Sequence, residues 1–192
     1  MLEHQQPISI GAANALVWSY VSDMANWAAI MPGFRDYEVV SDADSRWTLK
    51  VGVGALVKTV HVLVHIDLWR EPDRVEFSYR LEGEPVSGSG AYQATSPAPD
   101  ATEVMLTVSI VGSGPMAPAW EAMARPILPR LANGFAQELK LRIESEHQAG
   151  SETAATEEIA PRDTFWRRVS LWLRRLLGRD RTLEGARARG AV

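Results

Sequence analysis

The sequence predicts an α+β fold: a curved antiparallel sheet of about six to seven strands wrapped around one long C-terminal helix, with two short helices after the first strand. Three observations predict it. For about eighty residues in the middle of the chain, apolar side chains recur at every second position, as half-buried antiparallel strands require. A stretch with apolar spacing of three or four follows, to about Glu146, which is a helical period. Ahead of the strands, two short helical patterns stop at Met31-Pro32-Gly33, where proline fixes its own φ and glycine permits a sharp exit.

Residues 3 to 10 alternate weakly and form a first strand. Asn14 to Asp23 reads as a helix, with Leu16, Val17, Tyr20 and Val21 in an apolar stripe beside Trp18, and Met24 to Ile30 as a second short turn. The strand rows follow. Trp47, Leu49, Val51 and Val53 alternate with Arg46, Thr48 and Lys50; Val60, Val62, Val64, Ile66 and Leu68 alternate with Thr59, His61, His65 and Asp67. Val75, Phe77, Tyr79 and Leu81 then alternate with charged and small residues, as do Val104, Leu106, Val108 and Ile110. Breaks at Glu71-Pro72-Asp73, Glu82-Gly83-Glu84-Pro85 and Ser96 to Asp100 are turn-like, so the strands form a meander. Gly112-Ser113-Gly114-Pro115 ends them. The long helix carries Met116, Ala119, Trp120, Met123, Ile127, Leu128, Leu131, Phe135 and Leu139 at helical spacing. Pro126 and Pro129 inside it predict a kink or a broken join near residues 125 to 129. There is no internal repeat.

The organisation that results is a folded domain over residues 1–147, a flexible linker over 148–162, a basic amphipathic helix over 163–178 and a disordered tail over 179–192. The linker is polar, alanine-rich and acidic. In the helix, Phe165, Trp166, Val169, Trp172, Leu173, Leu176 and Leu177 share an arc of about 140°, with Arg167, Arg168, Arg174 and Arg175 opposite and Leu171 misplaced. Aromatics and leucines on one face and arginines on the other suit the plane of a membrane interface. Docking in a partner's groove and packing on its own domain are the competing readings.

Charge divides unevenly. From Arg162 onward there are nine arginines against Asp163, Asp180 and Glu184, a net +6; the whole chain is −4, so residues 1 to 161 carry −10. An acidic body excludes nucleic acid as the domain's partner, since phosphate neutralisation needs clustered Lys and Arg. Each tail arginine near an anionic lipid surface would contribute about 1 kcal/mol. With no cysteine, disulfides, thiolate metal sites and a cysteine nucleophile are excluded. The N-terminus shows no signal-peptide pattern, and no apolar run approaches the ~20 residues of a spanning helix. These features together predict a cytoplasmic protein peripherally associated with the inner face of the cell membrane.

Val17-Trp18-Ser19-Tyr20-Val21-Ser22-Asp23, Trp27 with Met31-Pro32-Gly33, and Gly88-Ser89-Gly90-Ala91-Tyr92 before the last strand carry a family likeness. Over residues 3 to 146 the sequence resembles the START-like, helix-grip superfamily, also known as SRPBCC proteins. The spacing from Asp23 to Pro32-Gly33, the GxG, and the linker with a C-terminal membrane-binding segment are most similar to the G-subunit family of carbon monoxide dehydrogenase. The resemblance implies a binding fold that encloses lipids, sterols, polyketides or quinones between sheet and helix, in many members without catalysis. For the G-subunit branch it implies a membrane quinone as cargo and a molybdenum-containing dehydrogenase as partner. It also places Met31, Pro32, Gly33, Gly114 and Met116 at the mouth of the cavity.

The inward faces carry Trp47, Leu49, Val51, Val60, Val62, Val64, Phe77, Tyr79, Tyr92, Leu106 and Val108, opposite Trp120, Met123, Ile127 and Leu131 on the helix. No Asp, Glu, Lys or Arg is among them. General acid–base chemistry needs a titratable group at the substrate, and this set offers only tyrosines; an apolar lining with a few hydroxyls suits an apolar ligand. The alternative from residue types alone is a filled hydrophobic core. Gly88 and Gly90, lacking side chains, are expected to make room for the ligand inside the sheet. Neither they nor Gly112-Ser113-Gly114 precede Lys-Ser/Thr as a phosphate loop does. His61 and His65 share one strand face, but i and i+4 on a strand lie about 13 Å apart, so they read as surface histidines and no metal is expected. His4 and His147 lie near the ends of the domain and suggest no site. The residues thus point to a non-catalytic protein with a bound quinone or lipid and no covalent cofactor. The alternatives are a polyketide cyclase or dehydratase using Tyr79 or Tyr92 as proton donor, and an assembly factor for a dehydrogenase.

Overall fold

The computed structural model describes residues 1–53 and 56–157. Seven strands form one antiparallel sheet: β1 (Leu2–Ile10), β2 (Phe34–Val39), β3 (Asp44–Val53), β4 (Leu56–Arg70), β5 (Arg74–Leu81), β6 (Val86–Ala98) and β7 (Ala101–Gly112). Two short helices, α1 (Asn14–Val21) and α2 (Met24–Ile30), separate β1 from β2, and α3 (Ala117–Glu157) follows β7. The strand order is β1-β7-β6-β5-β4-β3-β2, so β2 to β7 are the expected meander, and β1 returns to pair with β7. Register shifts in β2 (Phe34/Asp36), β4 (Ile66/Leu68) and β6 (Thr95/Ala98) bend the strands where an extra residue enters, which curves the sheet toward α3. One strand is less legible in the sequence than the rest: β2 lies at an edge, with Arg35, Asp36, Glu38 and Val39 exposed, and so lacks clean alternation.

Local chemistry sets the bends. Asp23 caps α2 by accepting from the Ala25 N–H at 2.8 Å, the arrangement that satisfies an orphan donor at a helix start. Gly33 has φ of 86°, a left-handed conformation that glycine adopts without strain. It is also pressed against β3: a Cβ there would lie 2.2 Å from the Lys50 carbonyl oxygen, while the Lys50 N–H donates to Gly33 O at 2.8 Å. The β1 edge is stitched to α3, because Lys140 Nζ donates to Ser9 O (2.6 Å) and the Gly11 N–H donates to Glu144 Oε1 (2.7 Å).

Two helix expectations are corrected. α3 passes through Pro126 and Pro129 without a break. Both prolines, and Ala122 and Arg125, whose carbonyls lose their i+4 donors, are exposed, so the freed groups face water instead of the core. The helix also runs past Gln148, where the linker was expected, to Glu157; the segment QAGSETAATE is rich in alanine and glutamate, both good helix formers. One compact unit spans Met1–Ala149. The rest of the expected linker, the amphipathic helix of residues 163–178 with all of its proposed membrane-binding side chains, and the tail of 179–192 lie outside the described residues.

Candidate functional site

The inward rows of the sheet are packed unevenly along their length, and this defines the site. At the end near α1 and α2 the interior is dry: Ile10, Val17, Val21, Val75, Tyr92 and Leu139 are fully buried. Trp27 lies at the centre there, with ring centroids 5.9 Å from Phe77, 6.0 Å from Tyr92 and 5.5 Å from Phe135, and its Nε1 donates to Val21 O at 2.7 Å. Toward the start of α3 the same rows continue inward yet stay half-buried. Val51, Val60, Phe77, Tyr79, Leu81, Val108 and Ile110 on the sheet, with Trp120, Ile127 and Leu131 on α3, are all in this state. Side chains that face the interior and remain partly accessible line a recess between sheet and helix.

Of the predicted lining, Trp47, Leu49, Val62, Val64, Tyr92 and Leu106 are buried in the closed part. Val51, Val60, Phe77, Tyr79, Val108, Trp120, Ile127 and Leu131 belong to the accessible part. Met123 does neither; it is exposed, at 38%. The helix turns a different stripe inward, Ala124, Leu128, Ala132, Phe135, Ala136, Leu139 and Ile143, because alanines let α3 approach the curved sheet more closely than the larger Met123 would. Ala119, which shared the apolar spacing, lies off this stripe and is exposed.

Gly88 and Gly90 do not hold space open for a ligand. They stand in register with Tyr79 and Phe77 on β5. A Cβ at Gly90 would lie 2.2 Å from Phe77 Cζ; one at Gly88 would lie 2.5 Å from Tyr79 Cζ and 2.0 Å from the Ser109 carbonyl oxygen. The far ends of the two aromatic rings therefore occupy the space above the two glycines, and the pairing serves to seat them. This lets the Tyr79 hydroxyl cross β6 and donate to Ser109 O of β7 at 2.7 Å.

The predicted mouth residues separate into two groups. Pro32 sits on Gly134 of α3, where a Cβ would come within 2.8 Å of Pro32 Cγ. Gly114, with φ of 70°, and Met116, 60% exposed, lie at the start of the helix. Eighteen residues of helix separate Met116 from Gly134, about 27 Å, so the two groups bracket the first half of α3. At the Met116 end, the Ser113 N–H donates to Pro85 O at 2.8 Å and Lys58 pairs with Glu84. The β7–α3 loop, the β5–β6 turn and the β3–β4 hairpin are tied together there.

The chemistry offered is sparse. Burial raises the Tyr79 phenol well above the ordinary tyrosine range, and burial, with Asp73 adding, does the same to Tyr92. Both stay protonated. The Tyr79 proton is committed to Ser109 O, and the buried Tyr92 hydroxyl has no hydrogen-bond partner among the described residues. Among those residues no group of three His, Asp or Glu could hold a metal ion. His61 lies 3.1 Å from Thr48 Oγ1 and His65 2.8 Å from Asp44 Oδ1, both on the exposed face. One interior polar pair was not anticipated. His4 and Gln6 are half-buried on the inward row of β1, in line with Ile8 and Ile10; the even-numbered alternation of that strand was the signal that could have found them.

A family model described as polyketide cyclase / dehydrase and lipid transport matches residues 1–144. The chain belongs to this family. Solved structures share the fold. A conserved protein from Geobacillus kaustophilus is 18% identical, covering 75% of this chain and 96% of its own, with a TM-score of 0.66. A START superfamily protein from Mycobacterium smegmatis is 12% identical over 74% of this chain and 97% of its own, with a TM-score of 0.58. The Zhui aromatase/cyclase from Streptomyces sp. R1128 is 18% identical over 74% and 95%, with a TM-score of 0.53. No curated protein matches the chain. The START-like, helix-grip fold thus stands, and the family, whose description includes lipid transport, supports hydrophobic-ligand binding. No helix among the described residues is long and apolar enough to cross a membrane.

Proposed function

We propose that this protein is a non-catalytic carrier that takes an apolar molecule, foremost an isoprenoid quinone, from the inner face of the cell membrane and serves a molybdenum-containing dehydrogenase of the carbon monoxide dehydrogenase type. One observation carries the binding role: the interior rows near the start of α3 are apolar and directed inward, yet remain accessible, as a pocket for an apolar ligand requires. The quinone and the dehydrogenase rest on the likeness of the Asp23 to Pro32-Gly33 segment to the G-subunit family of that enzyme. The membrane rests on the two-faced basic segment Phe165 to Leu177. Mass spectrometry of organic extracts from the purified protein is the test of cargo. An empty protein that also fails to bind menaquinone or ubiquinone would sink the carrier reading. Deleting residues 163–192 should abolish liposome flotation, and high salt should weaken it; flotation unchanged by the deletion would refute the anchor.

A second reading, a cyclase or dehydratase on the same fold, is favoured by the family's description. It needs Tyr79 or Tyr92 as proton donor, and the raised pKa and committed proton of Tyr79 weigh against it.

A further inference from the structure

His4 is an interior group that neither the fold nor the carrier role explains. It stands between Leu2 and Gln6 on the inward row of β1, in register with Val108 of β7. Its Nε2 is shielded from solvent and has no hydrogen-bond partner among the described residues. A buried polar nitrogen left unpaired costs about 1–3 kcal/mol, and native interiors rarely retain one without a use. A leucine or phenylalanine would suit this row better if it only filled space.

The position is also a defined one. The start of β1 is held to α3, with the Met1 backbone nitrogen 2.8 Å from Glu121 Oε1, so His4 lies in the accessible half of the interior and away from the dry aromatic cluster. Val108, its register partner, is half-buried. The residue after Val108, Ser109, supplies the carbonyl that holds the Tyr79 hydroxyl at 2.7 Å. Gln6, next on the row, turns its amide Nε2 to Pro7 O at 3.2 Å. His4 is therefore a free hydrogen-bonding group on an inward row of hydrocarbon.

We infer that His4 is the specificity contact of the pocket: its ring nitrogen hydrogen-bonds an oxygen, hydroxyl or carbonyl, borne on the ring of an otherwise apolar ligand seated between β1, β7 and α3. This rests on the proposed ligand-binding role and adds to it which end of the ligand is read, and by what. A neutral imidazole carries one N–H and one lone pair, so a hydroxyl can meet either tautomer and a carbonyl meets the one that donates from Nε2.

The test uses the full-length protein and two probes of the same shape, 2-naphthol and naphthalene, titrated by tryptophan fluorescence and calorimetry. The wild type should bind 2-naphthol about tenfold more tightly, the order of one buried hydrogen bond. His4→Phe should lose that preference by weakening 2-naphthol alone, with naphthalene affinity and thermal midpoint not reduced; His4→Gln should keep part of it. The 15N resonance of His4 Nε2, assigned by its absence in His4→Gln, should shift with 2-naphthol and stay fixed with naphthalene. Equal binding of the probes to wild type, or a preference that survives in His4→Phe, overturns the role of His4 and leaves the pocket standing. Failure of the protein to bind either probe overturns the pocket and this inference with it.

Discussion

Replacing Gly90 by alanine tests how the middle of the sheet is built. The new Cβ would stand 2.2 Å from Phe77 Cζ and 2.8 Å from both Cε atoms, whereas carbon atoms rest at ~3.5–4.0 Å. The ring must therefore retreat by roughly 1.3 Å or more, against Trp27, whose centroid is 5.9 Å away. Overpacking of this kind costs about 1–3 kcal/mol; Phe77 is half-buried and can swing partly into the recess, which favours the lower half of that range. With a urea m-value of about 1–3 kcal/mol/M, the unfolding midpoint followed by tryptophan fluorescence should fall by roughly 1 M at unchanged m. The decisive comparison is with Phe77→Leu, which removes the clashing atoms. In that background Gly90→Ala should be neutral or stabilising, because alanine restricts the unfolded chain more than glycine, worth about 0.5–1 kcal/mol. A cost equal in both backgrounds to within about 0.5 kcal/mol, the additivity of independent sites, would refute the seating of Phe77 on Gly90.

Other perturbations follow from single contacts. Asp23→Ala removes the α2 cap and should lower stability by about 1 kcal/mol in urea unfolding, with Asp23→Asn close to wild type. Burial raises the phenols of Tyr79 and Tyr92, so the folded state keeps protons that the unfolded state releases near the ordinary value of 10.0. Stability should be unaffected by these groups below that pH and fall as pH rises above it. Spectrophotometric titration should show at least two tyrosines resisting ionisation until unfolding. The Asp44 carboxyl is held below its ordinary value of 3.8 by the Ser41 hydroxyl first and then by His65. Its contribution should be complete above that value and be lost as pH falls through the folded pKa. Carboxyl NMR should show the Asp44 midpoint rising toward the ordinary value in Ser41→Ala.

The architecture was readable because the strands carry their alternation in plain view. Val60 to Ile66 or Val104 to Ile110 can be half-buried in only one register of faces, since a slip by one residue would turn every valine to solvent. The turn residues between them fixed the meander. What periodicity could not reveal was which residues meet across strands. That Gly90 faces Phe77 and Gly88 faces Tyr79 depends on the β5–β6 register, set by the turn at Glu82 to Pro85, and so two glycines that looked like space for a ligand are platforms for rings. The face of α3 was misjudged at Met123 because hydrophobicity ranks methionine above alanine, while a helix approaching a curved sheet selects for small size. His4 was discounted by its nearness to the chain start, though its parity with Ile8 and Ile10 already placed it inward.

The unequal packing of the interior has a consequence for motion. Opening free energy in a domain follows local burial, so the half built around Trp27, Tyr92, Phe135 and Leu139 should hold its amide protons longest and unfold only globally. The half at the start of α3, bounded by three tied loops, should exchange through smaller openings. Cargo could then enter by local breathing of one end while the other keeps the sheet's shape. Bound cargo would slow exchange in β1, β7 and the first turns of α3 and leave the aromatic half unchanged.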